Sequence, residues 1–198
     1  MTTPAHEALG LLEIDGLPRA VRAQDAALKR APVEIVACAP VTPGKVILVI
    51  AGAVAPVEES LAAAVEVAGK ARLDELFLPG VHPDVVAALR GVETKATPGA
   101  ALGLFELTTA AAAVVAADAA LKSTRVVLGR MHLAAGFGGK AWLSVQGELG
   151  DVEAAAAAIQ AIAGERLRGY EVIPAPHEDL DQGLFVRPWP MDPGRGPR

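Results

Sequence analysis

The sequence predicts an α/β protein, an α+β sandwich built twice: two tandem units, each in the order β-α-β-β-α-β. Three observations predict it. The chain repeats itself, each repeat alternates short β-branched runs with stretches of helical spacing, and a polar segment bounded by glycine separates the copies.

The repeat is the strongest of the three. Ala8-Leu9-Gly10-Leu11-Leu12-Glu13-Ile14 recurs as Ala101-Leu102-Gly103-Leu104-Phe105-Glu106-Leu107, an offset of 93, and the same offset carries Asp25-Ala26-Ala27-Leu28-Lys29 onto Asp118-Ala119-Ala120-Leu121-Lys122. Between positions 8 and 30, 13 of 23 residues equal their partner, more than two alanine-rich segments share by composition. From Gly44-Lys45 and Gly139-Lys140 onward the offset becomes 95, and it then relates Gly52 to Gly147, Val57-Glu58 to Val152-Glu153, Gly69 to Gly164 and His82 to His177. The second copy has therefore gained two residues in the loop over Ala134 to Gly139.

In the first unit, Leu9 to Ile14 is an apolar strand. Pro18 to Arg30 is a helix with Ala20, Val21, Ala27 and Leu28 at helical spacing, proline in its first turn and Lys29-Arg30 in its last. Val33 to Ala39 and Lys45 to Ala51 are β-branched strands joined by Pro40-Val41-Thr42-Pro43-Gly44, where the prolines end the ladder. Val54 to Ala68 is a second helix with Glu58-Glu59 near its start and Gly69 after its end. Leu73 to Leu78 is the closing strand. The second copy repeats this order as Leu102 to Leu107, Ala110 to Ser123, Val126 to Leu133, Lys140 to Val145, Val152 to Ala163 and Tyr170 to Ile173. The expected domains are residues 8–90 and 100–185, with a linker over 91–99 and a disordered tail over 186–198.

Composition excludes several classes. Hydrophobic residues make up 52% of the chain and aromatic ones 4%, so the apolar mass is Ala, Val and Leu. The net charge of -5 comes without a Lys/Arg cluster, so the electrostatic footprint of a nucleic-acid binder is missing. The apolar run from Val46 to Val57 is broken by Gly52 and Pro56 and is shorter than the ~20 residues that span a bilayer. Met1 to Glu7 lacks the basic and apolar regions of a secretory signal, and a single cysteine, Cys38, builds no disulfide framework. The expected setting is cytoplasmic, with neither membrane nor nucleic acid as partner.

These motifs resemble the bacterial microcompartment shell domain, whose units open with A-L-G-x-x-E, carry D-A-x-L-K at a helix end, and then a pore loop. The resemblance covers roughly residues 8 to 185. It runs to the trimeric tandem-domain class, of the kind found in propanediol-utilisation shells, through Thr42-Pro43-Gly44-Lys45, His132-Leu133-Ala134-Ala135-Gly136-Phe137-Gly138-Gly139-Lys140 and Ile173-Pro174-Ala175-Pro176-His177-Glu178. It implies a structural shell tile, not an enzyme: a pseudohexameric homotrimer with a central pore, packed beside other shell hexamers and pentamers, with trimers stacked in some arrangements. Small metabolites would cross the pore, and the tile would sit in the shell of the organelle.

The residues the resemblance assigns to the pore lining are Val41, Thr42, Pro43 and Gly44 from the first unit and Ala135, Gly136, Phe137 and Gly138 from the second. Lys29 and Lys122 match the lysine of the tile edge; each is also a helix-end cation four residues after an aspartate, and so an ordinary solvated ion pair. Two departures matter. Where relatives of this class place a cysteine before Pro-Gly-Lys, with three copies holding an iron–sulfur cluster, this chain has Thr42. A neutral hydroxyl is a poor ligand for iron in such a cluster, so no cluster, and no other cofactor or metal, is expected. Ala175 stands where the family often has an arginine that reaches the next tile, which weakens the expected edge contact.

The remaining candidates read more simply. Cys38 reads as a small hydrophobe, against a rival in which it carries an electron-transfer cofactor. Gly136-Phe137-Gly138-Gly139 precedes a strand and lacks the helix start of a dinucleotide fingerprint. His82 and His177 read as turn or capping residues duplicated with the scaffold. No catalytic residues are assigned, because triad, paired-carboxylate and zinc-helix motifs do not occur. The rival class is a small-molecule-binding regulator or enzyme subunit on the same topology.

Overall fold

The computed structural model describes residues 7–92, 99–177 and 180. The elements are β1 (Ala8–Asp15), α1 (Leu17–Arg30), β2 (Glu34–Val41), β3 (Lys45–Gly52), α2 (Val54–Ala68), β4 (Arg72–Pro79), α3 (Pro83–Leu89), β5 (Ala101–Leu107), α4 (Ala110–Ser123), β6 (Val127–Leu133), β7 (Ala141–Gly147), α5 (Leu149–Ala163) and β8 (Leu167–Ile173). The chain divides into two compact units. One runs up to Val86 and also takes in Ala135–Gly139; the other holds Ala87–Ala134 and the chain from Lys140 onward.

The first sheet has the order β2-β3-β1-β4 and the second β6-β7-β5-β8, every neighbouring pair antiparallel. In the first unit α1 and α2 lie against one face of the sheet. Their core is Leu12 and Ile14 of β1, Val46, Leu48 and Ile50 of β3, Ala20, Ala23 and Ala27 of α1, and Val57, Leu61 and Ala64 of α2. Alanines at i, i+3 and i+7 let α1 approach the sheet closely, while its termini obey ordinary signals, proline at the start and Lys29-Arg30 at the end. Central strand β1 is buried along both faces as far as Ile14, which is why it reads as a continuous apolar run instead of an alternating one.

The glycine of the repeated A-L-G motif has a packing reason. A Cβ on Gly10 would lie 2.9 Å from Cγ1 of Ile50 and 3.4 Å from Cγ1 of Val57; on Gly103 it would meet Phe105, Val145 and Val152 at 2.9, 3.0 and 3.0 Å. Only a hydrogen lets the second helix of each unit settle onto its sheet.

Sequence reading and structure differ in detail. The structure adds α3 and a 3-10 turn after each second helix, Gly69–Ala71 and Gly164–Arg166. Helix α5 starts at Leu149 instead of Val152, and β8 at Leu167 instead of Tyr170. The 3-10 turns bring the chain straight from helix into strand, so the last strands start earlier than their apolar residues suggest. Residues 93–98 of the expected linker, and the expected tail, lie outside the described residues. Among the described residues no helix is long and apolar enough to cross a membrane.

Candidate functional site

The first pore-loop candidate is the tight turn between β2 and β3. Gly44 N–H donates to the Val41 carbonyl at 2.9 Å, the Thr42–Pro43 peptide is cis, and Gly44 takes a φ of 111°. Thr42, Pro43 and Gly44 are exposed, whereas Val41 is buried.

The second candidate, Ala135–Gly139, lies between β6 and β7 in sequence yet belongs with the first unit. Gly136 N–H donates to Thr42 Oγ1 at 2.8 Å. Lys45 Nζ donates to the Gly139 carbonyl at 3.1 Å and pairs with the Glu13 carboxylate. Gly139 has a φ of 82°, and a Cβ there would stand 3.3 Å from Pro43 Cδ and 3.5 Å from the Thr42 carbonyl, so the backbone conformation and the close approach both require glycine. Gly136 and Gly138 are exposed, Ala135 and Phe137 half-buried. The structure thus brings Thr42, Pro43, Gly136 and Gly139 into one cluster beside the half-buried Lys45.

Sequence reasoning passed over Glu13 and Lys45 as site residues. Both had a signal: the glutamate of A-L-G-x-x-E and the lysine after glycine recur together as Glu106 and Lys140. The second pair is also formed, Lys140 Nζ to Glu106 Oε1 at 2.6 Å. The two pairs differ in exposure. The side chains of Lys45 and Glu13 are 11% and 1% exposed, those of Lys140 and Glu106 36% and 33%.

Lys29 donates to Asp25 at 2.7 Å on α1 and Lys122 to Asp118 at 2.5 Å on α4, each an i,i+4 pair. Asp118 is buried, so Lys122 balances a desolvated carboxylate, while the first pair is open to water. Cys38 pairs in register with Leu48 and packs on the helix-side core; burial pushes its thiol pKa up, away from the thiolate a metal would need. His82 Nδ1 accepts from Asp84 N–H at 3.3 Å at the start of α3, the capping use expected of it. His132 stacks on Trp142, ring centroids 5.6 Å apart, and burial lowers its pKa. A depression of about 460 Å³ between α1 and α2 is lined by Arg19, Arg22, Ala26, Ala63, Glu66 and Val67, which include no nucleophile. Among the described residues, no group of three or more His, Cys, Asp or Glu side chains is placed to hold a metal ion.

Comparison with known proteins bears on the fold and the family. The BMC domain model matches residues 8–81 and again 101–176. The bacterial microcompartment shell protein PduT of Citrobacter freundii is 36% identical over 176 residues, covering 88% of this chain and 95% of that protein. The crystal structure of a microcompartment protein from Desulfitobacterium hafniense is 39% identical, covers 90% of this chain and 99% of that one, and superposes with a TM-score of 0.84. A fused permuted hexameric shell protein of the RMM microcompartment shares the fold at 21% identity and a TM-score of 0.62, over 79% of this chain and 83% of that one. With the domain matched once in each half and relatives aligned along nearly the whole length, this chain belongs to the BMC domain family, as two BMC domains in tandem.

Proposed function

We propose that this microcompartment shell protein is a structural tile that closes, three chains to a ring, into a pseudohexamer with an axial passage. One observation carries the closure: equivalent surfaces of the two copies are unequally exposed, and in opposite senses. On the first helix of each unit, Leu17, Val21 and Leu28 are 53%, 53% and 48% exposed, while their counterparts Ala110, Val114 and Leu121 are 0%, 0% and 9% exposed. On the sheet face away from the helices the order reverses. Glu13, Leu11 and Ile47 are buried, and their counterparts Glu106, Leu104 and Trp142 are partly open.

Each chain therefore carries one open helix face on its first unit and one open sheet face on its second. Two unlike open faces, one on each unit, suit the two sides of a head-to-tail contact between copies of this chain. Such a contact makes a ring where its rotation divides a full turn, as the proposed tile requires. Three is the number implied by six roughly equivalent units around an axis.

In that ring the turn at Thr42–Gly44 and the loop at Ala135–Gly138 are the proposed lining of the passage. Solutes would be sorted by diameter and by the backbone and hydroxyl groups presented to them. Lys29 and Lys122 are the proposed contacts to neighbouring tiles, with Ala175 in place of an arginine weakening that edge. The role is structural and requires no bond chemistry. The test is native mass spectrometry of the purified chain. A dominant species at three times the 20.2 kDa chain mass, or a doubled trimer, supports the tile, and a monomer or dimer overturns it.

A further inference from the structure

The face of the second sheet that turns away from its helices has an apolar centre and a polar border. Trp142 of β7 and Leu104 of β5 stand on the two central strands, both partly open. His132 of edge strand β6 lies opposite Trp142 in register and stacks on it, and Glu171 of edge strand β8 lies opposite Leu104. Glu106, the other register partner of Trp142, is balanced by Lys140. The first copy has Leu11, Ile47, Val49 and Ala51 where the second has Leu104, Trp142, Ser144 and Gln146, and all four of the first set are buried. Two of the four positions have become polar, yet the leucine is kept and Ile47 has given way to a larger, aromatic side chain. A face built only for water would lose its apolar centre as well. An aromatic and an aliphatic side chain inside a polar border are the make-up of a surface that meets another protein.

The complementary surface is on α1, which has three occupied sides. Ala20, Ala23 and Ala27 turn to their own sheet, and Arg19, Arg22 and Ala26 to the depression beside α2. Leu17, Val21, Gln24 and Leu28 fall at i, i+4, i+7 and i+11 on the flank away from α2, and the three apolar ones are about half exposed. The stripe is about 16 Å long, so it fits along a seven-residue strand of about 23 Å. We infer that Trp142 is the anchor of the head-to-tail contact: its indole seats on the Leu17–Val21–Leu28 stripe of the next copy of this chain. The inference rests on the ring proposed above and names the side chains that carry its stability. A large, rigid aromatic pressed on aliphatic side chains buries much apolar area for few ordered torsions, which is why such residues dominate contact energies. The His132 ring, stacked on the indole, holds it in the orientation in which the stripe meets it.

The test is dilution of the full-length chain, read by native mass spectrometry, for wild type, Trp142→Ala, Val21→Ala, the two together, and Tyr170→Ala. One fixed urea concentration brings the wild-type midpoint into range if the trimer is too tight to dissociate by dilution alone. The expected result is that Trp142→Ala raises the concentration at which the trimer falls apart by about thirty-fold or more, the scale of a contact hot spot. Val21→Ala, at a side chain already 53% exposed and so without cost to the fold, raises it about three-fold or more. The double variant is no more than about two-fold worse than Trp142→Ala, because two side chains that touch lose their contact only once. Tyr170→Ala, which removes an aromatic side chain that is 41% exposed on edge strand β8, stays within about three-fold of wild type. Dissociated Trp142→Ala keeps the wild-type circular dichroism spectrum; a lost fold leaves Val21→Ala to decide, and a wild-type midpoint there overturns the anchor. Equal midpoints for Trp142→Ala and wild type, an equal effect of Tyr170→Ala, or fully additive effects of the Trp142 and Val21 changes also overturn the anchor and leave the trimer standing. A wild-type chain that is monomeric at every concentration without urea overturns the ring itself.

Discussion

The Thr42 hydroxyl accepts a hydrogen bond from the Gly136 backbone N–H at 2.8 Å, tying the turn of one copy to the loop of the other across 94 residues of sequence. The threonine at the head of the Pro-Gly-Lys turn is therefore a structural acceptor. It holds a glycine-rich loop that Lys45 also grips, at the Gly139 carbonyl.

Thr42→Val keeps the shape of the side chain and removes the acceptor. Amide hydrogen exchange at Gly136 is expected to speed up about ten-fold or more in Thr42→Val and to stay near wild type in Thr42→Ser, since losing a net hydrogen bond is worth about 1 kcal/mol or somewhat more.

Lys45→Met takes the Lys45 ammonium away from Glu13, whose side chain is 1% exposed. The expected loss in urea unfolding is about 3–5 kcal/mol, the cost of stranding one partner of a buried pair, and Glu13→Leu combined with Lys45→Met recovers much of it. Lys29→Met breaks a solvated pair and is expected to change stability by less than about 1 kcal/mol.

Alanine at either motif glycine overpacks the helix–sheet contact, at about 1–3 kcal/mol. Gly103→Ala is expected to cost more than Gly10→Ala, because its methyl would press on three side chains at 3.0 Å or closer, and that of Gly10 on Ile50 alone at such distances. Paired thermal melts of the two variants give the order.

Burial against Trp142 lowers the His132 pKa, so the folded chain favours neutral imidazole. The unfolded chain then binds more protons as the solution turns acidic. The contribution to stability is fully present above the ordinary histidine value of 6.5 and is lost as pH falls through the lowered folded value. The melting temperature is expected to drop from about pH 7.5 to pH 5, with a shallower drop in His132→Phe, measured by calorimetry.

Much of the scaffold was readable from the repeat. Two copies of one pattern constrain each other, so a weak run such as Leu73 to Leu78 gains support from Tyr170 to Ile173. Helix α3 escaped because seven residues carry too few turns to display a period, although Pro83 and Asp84 are ordinary start signals. The early start of β8 escaped because Leu167–Gly169 has no apolar alternation; backbone pairing with β5 defines it. The side on which Cys38 lies depends on the bulge between Ile35 and Ala37, which resets the alternation of β2. The join between Thr42 and Gly136 is a tertiary fact, invisible to local pattern. The pairing of Glu13 with Lys45 was within reach, since both residues recur at their proper offsets.

The unequal loops of the two copies have a bearing on how such a chain can change. In a ring made from separate identical units, a substitution at the axis appears at every position at once, and any clash it creates is multiplied accordingly. Joining two units in one polypeptide halves that multiplicity. The extra length in the loop before Gly139 was accepted while the turn at Thr42 stayed short, and each now supports the other. In the proposed ring, covalent duplication gives selection two independent handles on the axial passage, so the long loop can drift in length and chemistry while its short partner keeps the Thr42 and Lys45 side-chain contacts that hold it.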